Sequence, residues 1–272
     1  MKIAPSNRVK YAHNPLAEVV CQLRFDRLVE LDSSEPAEFQ AALSNSTYPN
    51  RTVEQPVGIS LHVATNGPVS VPQLPAPPAR VFQFAAADSS WRVSLCSDFV
   101  ALSTNRYESW DDFQPRMLEL VEIFAKCYSG AVPKRLGLRY KDVIERESLG
   151  LADTPWHELV KPFLLGPLAP GALSDDSPPD EGEIGNLLLQ SRLKLEDCML
   201  LLQSTLLRSI DGGRQAFLID GDFFTEDATC LEMLRDATVF RGALDKLHNN
   251  AGALFQRCIT GKLHNALSPE ST

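Results

Sequence analysis

The chain changes its hydrophobic period twice, in the same order each time, and this limits its architecture more than any single motif. In the first round, Val19, Cys21, Leu23 and Phe25 alternate with Glu18, Gln22, Arg24 and Asp26 over 17–26. Period two over this length marks a half-buried strand. Further strand runs follow at 57–64, 80–86, 91–96 and 99–103. The spacing then becomes helical over 109–128, where Trp110, Phe113, Met117, Val121, Phe124 and Tyr128 form one apolar stripe. The second round opens with Leu136, Leu138 and Tyr140 alternating with Gly137, Arg139 and Lys141. It continues with strand runs at 184–195, 198–208 and 214–224 and closes with a helical stretch at 227–258. Strand, short helix, antiparallel strands and long helix therefore occur twice. The expectation is an α+β fold of two similar half-domains, 1–130 and 131–272, each a curved antiparallel sheet with its long helix across one face. By analogy this is a TATA-binding-protein-like or helix-grip-like duplication, and such an analogy says little about function.

Local signals place the element ends. Ser34, ahead of Pro36, is the expected cap of a short helix reaching about residue 43. Ser109 is the expected cap of the first long helix, with Asp111 and Asp112 at the positive end of its dipole and Pro115 expected to kink the helix or displace its start. Thr154 and Pro155 open a short helix reaching about residue 165. Five prolines between 67 and 79 make a surface loop, since proline cannot pair in a central sheet. Turns are expected at 88–90, 97–98, 196–197 and 211–213.

The formal charge of −9 is concentrated locally. Between 145 and 183, nine acids face only Arg146 and Lys161, which leaves the rest of the chain nearly neutral. The acidic stretch 166–183 reads as a solvated loop, with recognition of a basic partner as the alternative. A near-neutral body gives a phosphate backbone no general attraction, so nonspecific nucleic-acid binding is disfavoured. The six cysteines show no C-x-x-C and sit among apolar neighbours, as buried free thiols do in a reducing compartment. The opening residues lack the apolar core of a secretory signal, and no run is apolar enough to span a bilayer. The expected location is the cytoplasm, with no membrane association.

The segments Asn14-Pro15-Leu16-Ala17-Glu18-Val19-Val20-Cys21-Gln22-Leu23-Arg24-Phe25, Ser94-Leu95-Cys96-Ser97-Asp98-Phe99-Val100-Ala101-Leu102-Ser103-Thr104, Tyr107-Glu108-Ser109-Trp110-Asp111-Asp112-Phe113 and Arg135-Leu136-Gly137-Leu138-Arg139-Tyr140 resemble a sporadically distributed family of bacterial proteins of similar size, with no assigned activity. The resemblance covers most of the chain and is strongest from 14 to about 145. It implies a bacterial cytoplasmic protein with the patchy occurrence of genes carried in mobile or defence loci. It brings no catalytic residues with it.

Candidate chemistry is sparse. Asp98 is either a carboxylate for a partner or metal, or an Asx-type turn residue. Asp220-Gly221-Asp222 offers two oxygen ligands to a divalent cation, or a turn dipeptide. The histidines lack zinc spacing, and the hydrolase elbow, dinucleotide fingerprint and P-loop are all missing. Arg24 and Arg139 hold matching places in the two rounds. If the sheets join, both guanidinium groups could grip one carboxylate or phosphate; alternatively each pairs with a neighbouring acid such as Glu18 or Asp142. The candidate partner- or ligand-binding residues are therefore Arg24, Arg139, Tyr140 and Asp98, with no catalytic residue, no metal and no cofactor. The leading expectation is a non-enzymatic adaptor that recognises a protein partner or a second copy of itself. A nucleic-acid- or nucleotide-binding component of a defence system comes second, and a metal-assisted hydrolase using Asp98, or Asp220 with Asp222, third.

Overall fold

The computed structural model describes residues 1–4, 6, 9–43, 47–54, 80–173, 180–208 and 215–270. In chain order the strands are β1 (Lys10–Tyr11), β2 (Leu16–Phe25), β3 (Asn50–Glu54), β4 (Val81–Ala85), β5 (Trp91–Cys96), β6 (Phe99–Thr104), β7 (Pro133–Glu145), β8 (Leu188–Lys194), β9 (Met199–Arg208), β10 (Gln215–Thr225) and β11 (Pro269–Glu270). The helices are α1 (Glu30–Ser33), α2 (Ala37–Ala42), α3 (Trp110–Cys127), α4 (Trp156–Leu159), α5 (Ala237–Cys258) and α6 (Gly261–Ala266). The fold class is α+β. Nine strands form one antiparallel sheet in the order β3-β4-β5-β6-β2-β7-β10-β9-β8, and β1 pairs with β11.

The boundary expected at 130/131 falls between α3 and β7. The sheet runs unbroken across it, because β2 pairs with β7 in register from Glu18↔Lys141 to Arg24↔Arg135. The strands expected as one curved sheet per half are joined edge to edge, so β2 to β10 make one sheet. Alternation decides its two faces. Val19, Cys21, Leu23 and Phe25 are buried on the side that also carries Leu136 and Leu138, while Glu18, Gln22 and Arg24 turn the other way. α5 lies on β7 and β10, and α3 touches β6 and α5, so both long helices cover the buried face. Burial of about 25 cal/mol per Å² of apolar surface drives this layering.

Several expectations held in detail. Ser109 caps α3, its hydroxyl accepting from the Asp112 amide, and α5 ends at Cys258. Others are corrected. Pro115 does not displace the start of α3, which is continuous from Trp110 to Cys127 with its apolar stripe anchored in the core on both sides of the proline. Ser34 ends α1 instead of opening a helix, and Pro36 stands at the start of α2. Past α4 the chain tightens into 3₁₀ turns at Pro162–Leu164 and Gly166–Leu168, where Pro162 and Pro167 deny the backbone donors that a longer helix needs. The final helix opens at Ala237, not 227, since two successive aspartates cap separate turns: Asp227 accepts from Thr229 and Asp236 from Thr238. The expected strand at 57–64, the whole proline-rich loop at 67–79 and the 211–213 turn lie outside the described residues, as does part of the acidic segment.

Candidate functional site

The sheet face turned away from the helices carries a lattice of paired charges. Lys141 reaches Glu18 at 2.5 Å, Arg139 chelates Asp220 through Nε (2.7 Å) and Nη2 (2.5 Å), and Arg135 reaches Asp222 at 2.6 Å. Arg24 reaches Asp98 at 2.5 Å. Two of the expected site residues are thus each other's partner, and a third is held by Asp220. Arg24 and Arg139 share this face but do not converge. Arg24 sits opposite Arg135 and Arg139 opposite Val20, four residues apart along the pair or roughly 13 Å. The expectation that each arginine pairs with a neighbouring acid is met, by Asp98 and Asp220 in place of the named examples: Glu18 goes to Lys141, and Asp142 lies on the opposite face.

The Asp220-Gly221-Asp222 run is neither a turn nor a gathered cation site. It lies in mid-strand in β10, where each carboxylate faces a guanidinium. Gly221 between them lets α5 approach, since a Cβ there would meet Leu254 at 3.3 Å. Gly137 has the same use on the charged face, because the Arg135 guanidinium folds across it on its way to Asp222 and the Phe224 ring. Burial raises the Asp222 carboxyl, against the lowering effect of Arg135. Among the described residues, no three metal-ligating side chains are grouped.

Tyr140 points to the helix face instead. Its hydroxyl lies 2.8 Å from His248 Nδ1 on α5, and His248 stacks flat on Trp110 of α3 at 4.1 Å. Trp110 Nε1 and Gln114 Nε2 both donate to Asp245 Oδ1, at 2.9 and 2.7 Å. This polar seam bolts the two long helices together over β7. Nearby, Asp142 is buried and its carboxyl is pushed up to about 7, by desolvation first and by the charge of Asp220 second. At the far end of β7, Arg146 lies 2.9 Å from Glu181, donates to the Thr154 carbonyl and covers the Trp156 ring. The sequence reading missed this seam and clasp because their members are far apart in the chain. Arg135 was legible, since strict alternation puts it on the face of Arg139.

A third feature lies under the last turns of α5. A chamber of about 540 Å³ opens between the sheet and that helix. Its floor is Leu189 and Leu193 of β8 with Leu200 and Leu202 of β9; Leu254 and Leu164 form its walls. Met1, Ile3 and Phe163 stand at its rim. Ser204 also lines it, but its hydroxyl is spent on the Leu164 carbonyl at 2.8 Å. Among the described lining residues, Arg257 alone has a charged side chain; Met1 at the rim carries the α-ammonium, which donates to the Lys194 carbonyl at 3.2 Å.

All six cysteines are free, and five are buried. Burial pushes the Cys21 and Cys258 thiols up, and Cys198 up to about 12, so none of these three is poised as a thiolate nucleophile. No described helix is long and apolar enough to cross a membrane. A scan against known protein families finds no match, and a search of curated proteins finds none either.

Proposed function

We propose that the chain is a binding protein, not a catalyst, built from two like halves of which the second keeps a receptor chamber open. The order of elements supports the duplication. Each half starts with a central strand, β2 or β7, and ends its meander on the strand beside it, β6 or β10, before a long helix. In each half the arginine of the first strand is held by an aspartate of that neighbouring strand or of its leading turn. The observation that carries the binding function is the apolar chamber of about 540 Å³ beneath α5. Well-packed interiors leave few voids larger than a water molecule. Small-molecule sites commonly occupy about 300–1,000 Å³ with mostly apolar linings.

Titration with the neutral fluorophore N-phenyl-1-naphthylamine tests this reading. Saturable one-to-one enhancement is expected, and it should be lost in Ser191→Trp, which fills the chamber from the exposed strand β8. Absence of saturable binding, or binding indifferent to that substitution, overturns it.

Recognition of a protein partner is the second reading. It is favoured by β8, which ends the described sheet with only β9 beside it and holds Leu188 at 59% exposure.

A further inference from the structure

We infer that the chamber takes a straight-chain aliphatic carboxylate, with the tail along the leucines and the carboxylate at Arg257. The inference rests on the binding function proposed above and names the ligand class. Three observations carry it.

The interior is aliphatic: Leu189, Leu193, Leu200, Leu202 and Leu254 contribute branched methyl groups and no hydrogen-bonding atom. The one hydroxyl set among them at full burial, that of Ser204, already donates to a backbone carbonyl. Away from Arg257, a ligand with polar atoms along its length would find only the exposed Ser191 hydroxyl among the described lining side chains, so most of its polarity belongs at one end. Charge then fixes which kind of end. Arg257 is exposed and, among the described residues, neither it nor any other lining residue brings a carboxylate to the chamber. A guanidinium offers two parallel donors to a carboxylate, a match that an alcohol or an ester cannot make. Finally, the protein as a whole carries −9, so its general field repels anions. Selectivity for an acid must come from a local group, and Arg257 is placed to supply it.

Arg257 also lies in the last turn of α5, where a cation complements the helix dipole. Arg257→Lys keeps that structural role, whereas Arg257→Gln removes the charge.

Displacement of N-phenyl-1-naphthylamine by dodecanoate, dodecan-1-ol and methyl dodecanoate, each below its self-association concentration, tests the inference. Dodecanoate should displace the probe at roughly tenfold lower concentration than either neutral analogue, as expected of one charge-assisted pair. Arg257→Gln should abolish that preference while leaving probe binding intact, and Arg257→Lys should keep most of it. Equal displacement by all three compounds, or a preference that survives Arg257→Gln, overturns the carboxylate assignment while leaving the chamber a binding site. Failure of the probe to bind defeats the underlying function instead. Undiminished binding of dodecanoate to Ser191→Trp in a direct calorimetric titration would place the carboxylate elsewhere and overturn the inference as well.

Discussion

The sheet is covered by two long helices, and the two sheet–helix interfaces are filled in opposite ways. Under α3 the space is occupied by rings: Phe25 stacks on Phe124 at 4.7 Å, Phe124 meets Tyr128 at 5.2 Å, and Trp91 meets Phe113 at 5.7 Å. Under the end of α5 the sheet presents leucines and serines, and the second half's buried rings are set elsewhere, as with Trp156 against Phe217 at 5.3 Å. The same helix-over-sheet geometry therefore gives a solid core when its facing positions are aromatic and a chamber when they are aliphatic. Side-chain volume, not topology, separates the closed interface from the open one.

Truncation at matched depth should expose this difference most strongly. Phe124→Ala removes a fully buried ring from a closed interface and is expected to cost about 4 kcal/mol. Leu202→Ala, on the chamber floor, should cost no more than about 2 kcal/mol, because its outer side already lacks packing partners. Denaturant unfolding of both variants measures the contrast. Equal losses would mean that the chamber is closed in solution and the comparison fails.

Buried charge divides the halves too. Among the described residues, the buried charged side chains, Asp142, Arg146 and Asp220, all belong to the second half. Arg146 and Asp220 have ion partners; Asp142 instead meets its environment by holding its proton. Its folded-state value of about 7 lies above the usual carboxylate range, so the native state binds this proton more tightly than the unfolded chain does. The resulting stabilisation is complete below about pH 4 and is lost as pH rises towards 7. Asp142→Asn removes the titration. Relative to wild type the variant should gain stability on going from pH 5 to pH 8, by no more than about 3 kcal/mol and by less if local relaxation admits water. Thermal unfolding of both proteins across that range reads the sign; a difference that does not change with pH would show Asp142 ionised throughout.

Much of the scaffold could be read from the sequence, because the positions that build it repeat locally. β2, β5, β6, β9 and β10 follow runs of alternating or continuous apolar residues, and α3 follows both its stripe and its Ser109 cap. β3 escaped notice because all five of its residues are exposed and carry no alternation. The late start of α5 was also written in the sequence, as Asp-Ala-Thr at 227–229 and again at 236–238, but a continuous leucine pattern across both caps concealed it. The functional features were less legible for a different reason. A single strand pattern put Arg24 and Arg139 on one face, yet their partners depend on register between strands over 70 residues apart. A chamber depends on what is missing between elements, and no local pattern records a missing volume.

The smallest expected effect concerns the two arginines that occupy matching places. Arg24 and Asp98 have side chains 48% and 38% exposed, whereas Arg139 covers an Asp220 side chain only 4% exposed. An exposed pair in water is worth about 0–1 kcal/mol, and salt screens it further. Removing the partner of a buried carboxylate costs more, because the remaining charge is left in a poor solvent. Double-mutant cycles should therefore give a coupling below about 1 kcal/mol for Arg24–Asp98, and a clearly larger one for Arg139–Asp220. Unfolding free energies of the single and double alanine variants close both cycles. Equal couplings would mean that burial does not separate the two ion pairs. A result in the expected order would make the matching arginines alike in sequence place and unlike in energetic role, as the two helix-covered interfaces are.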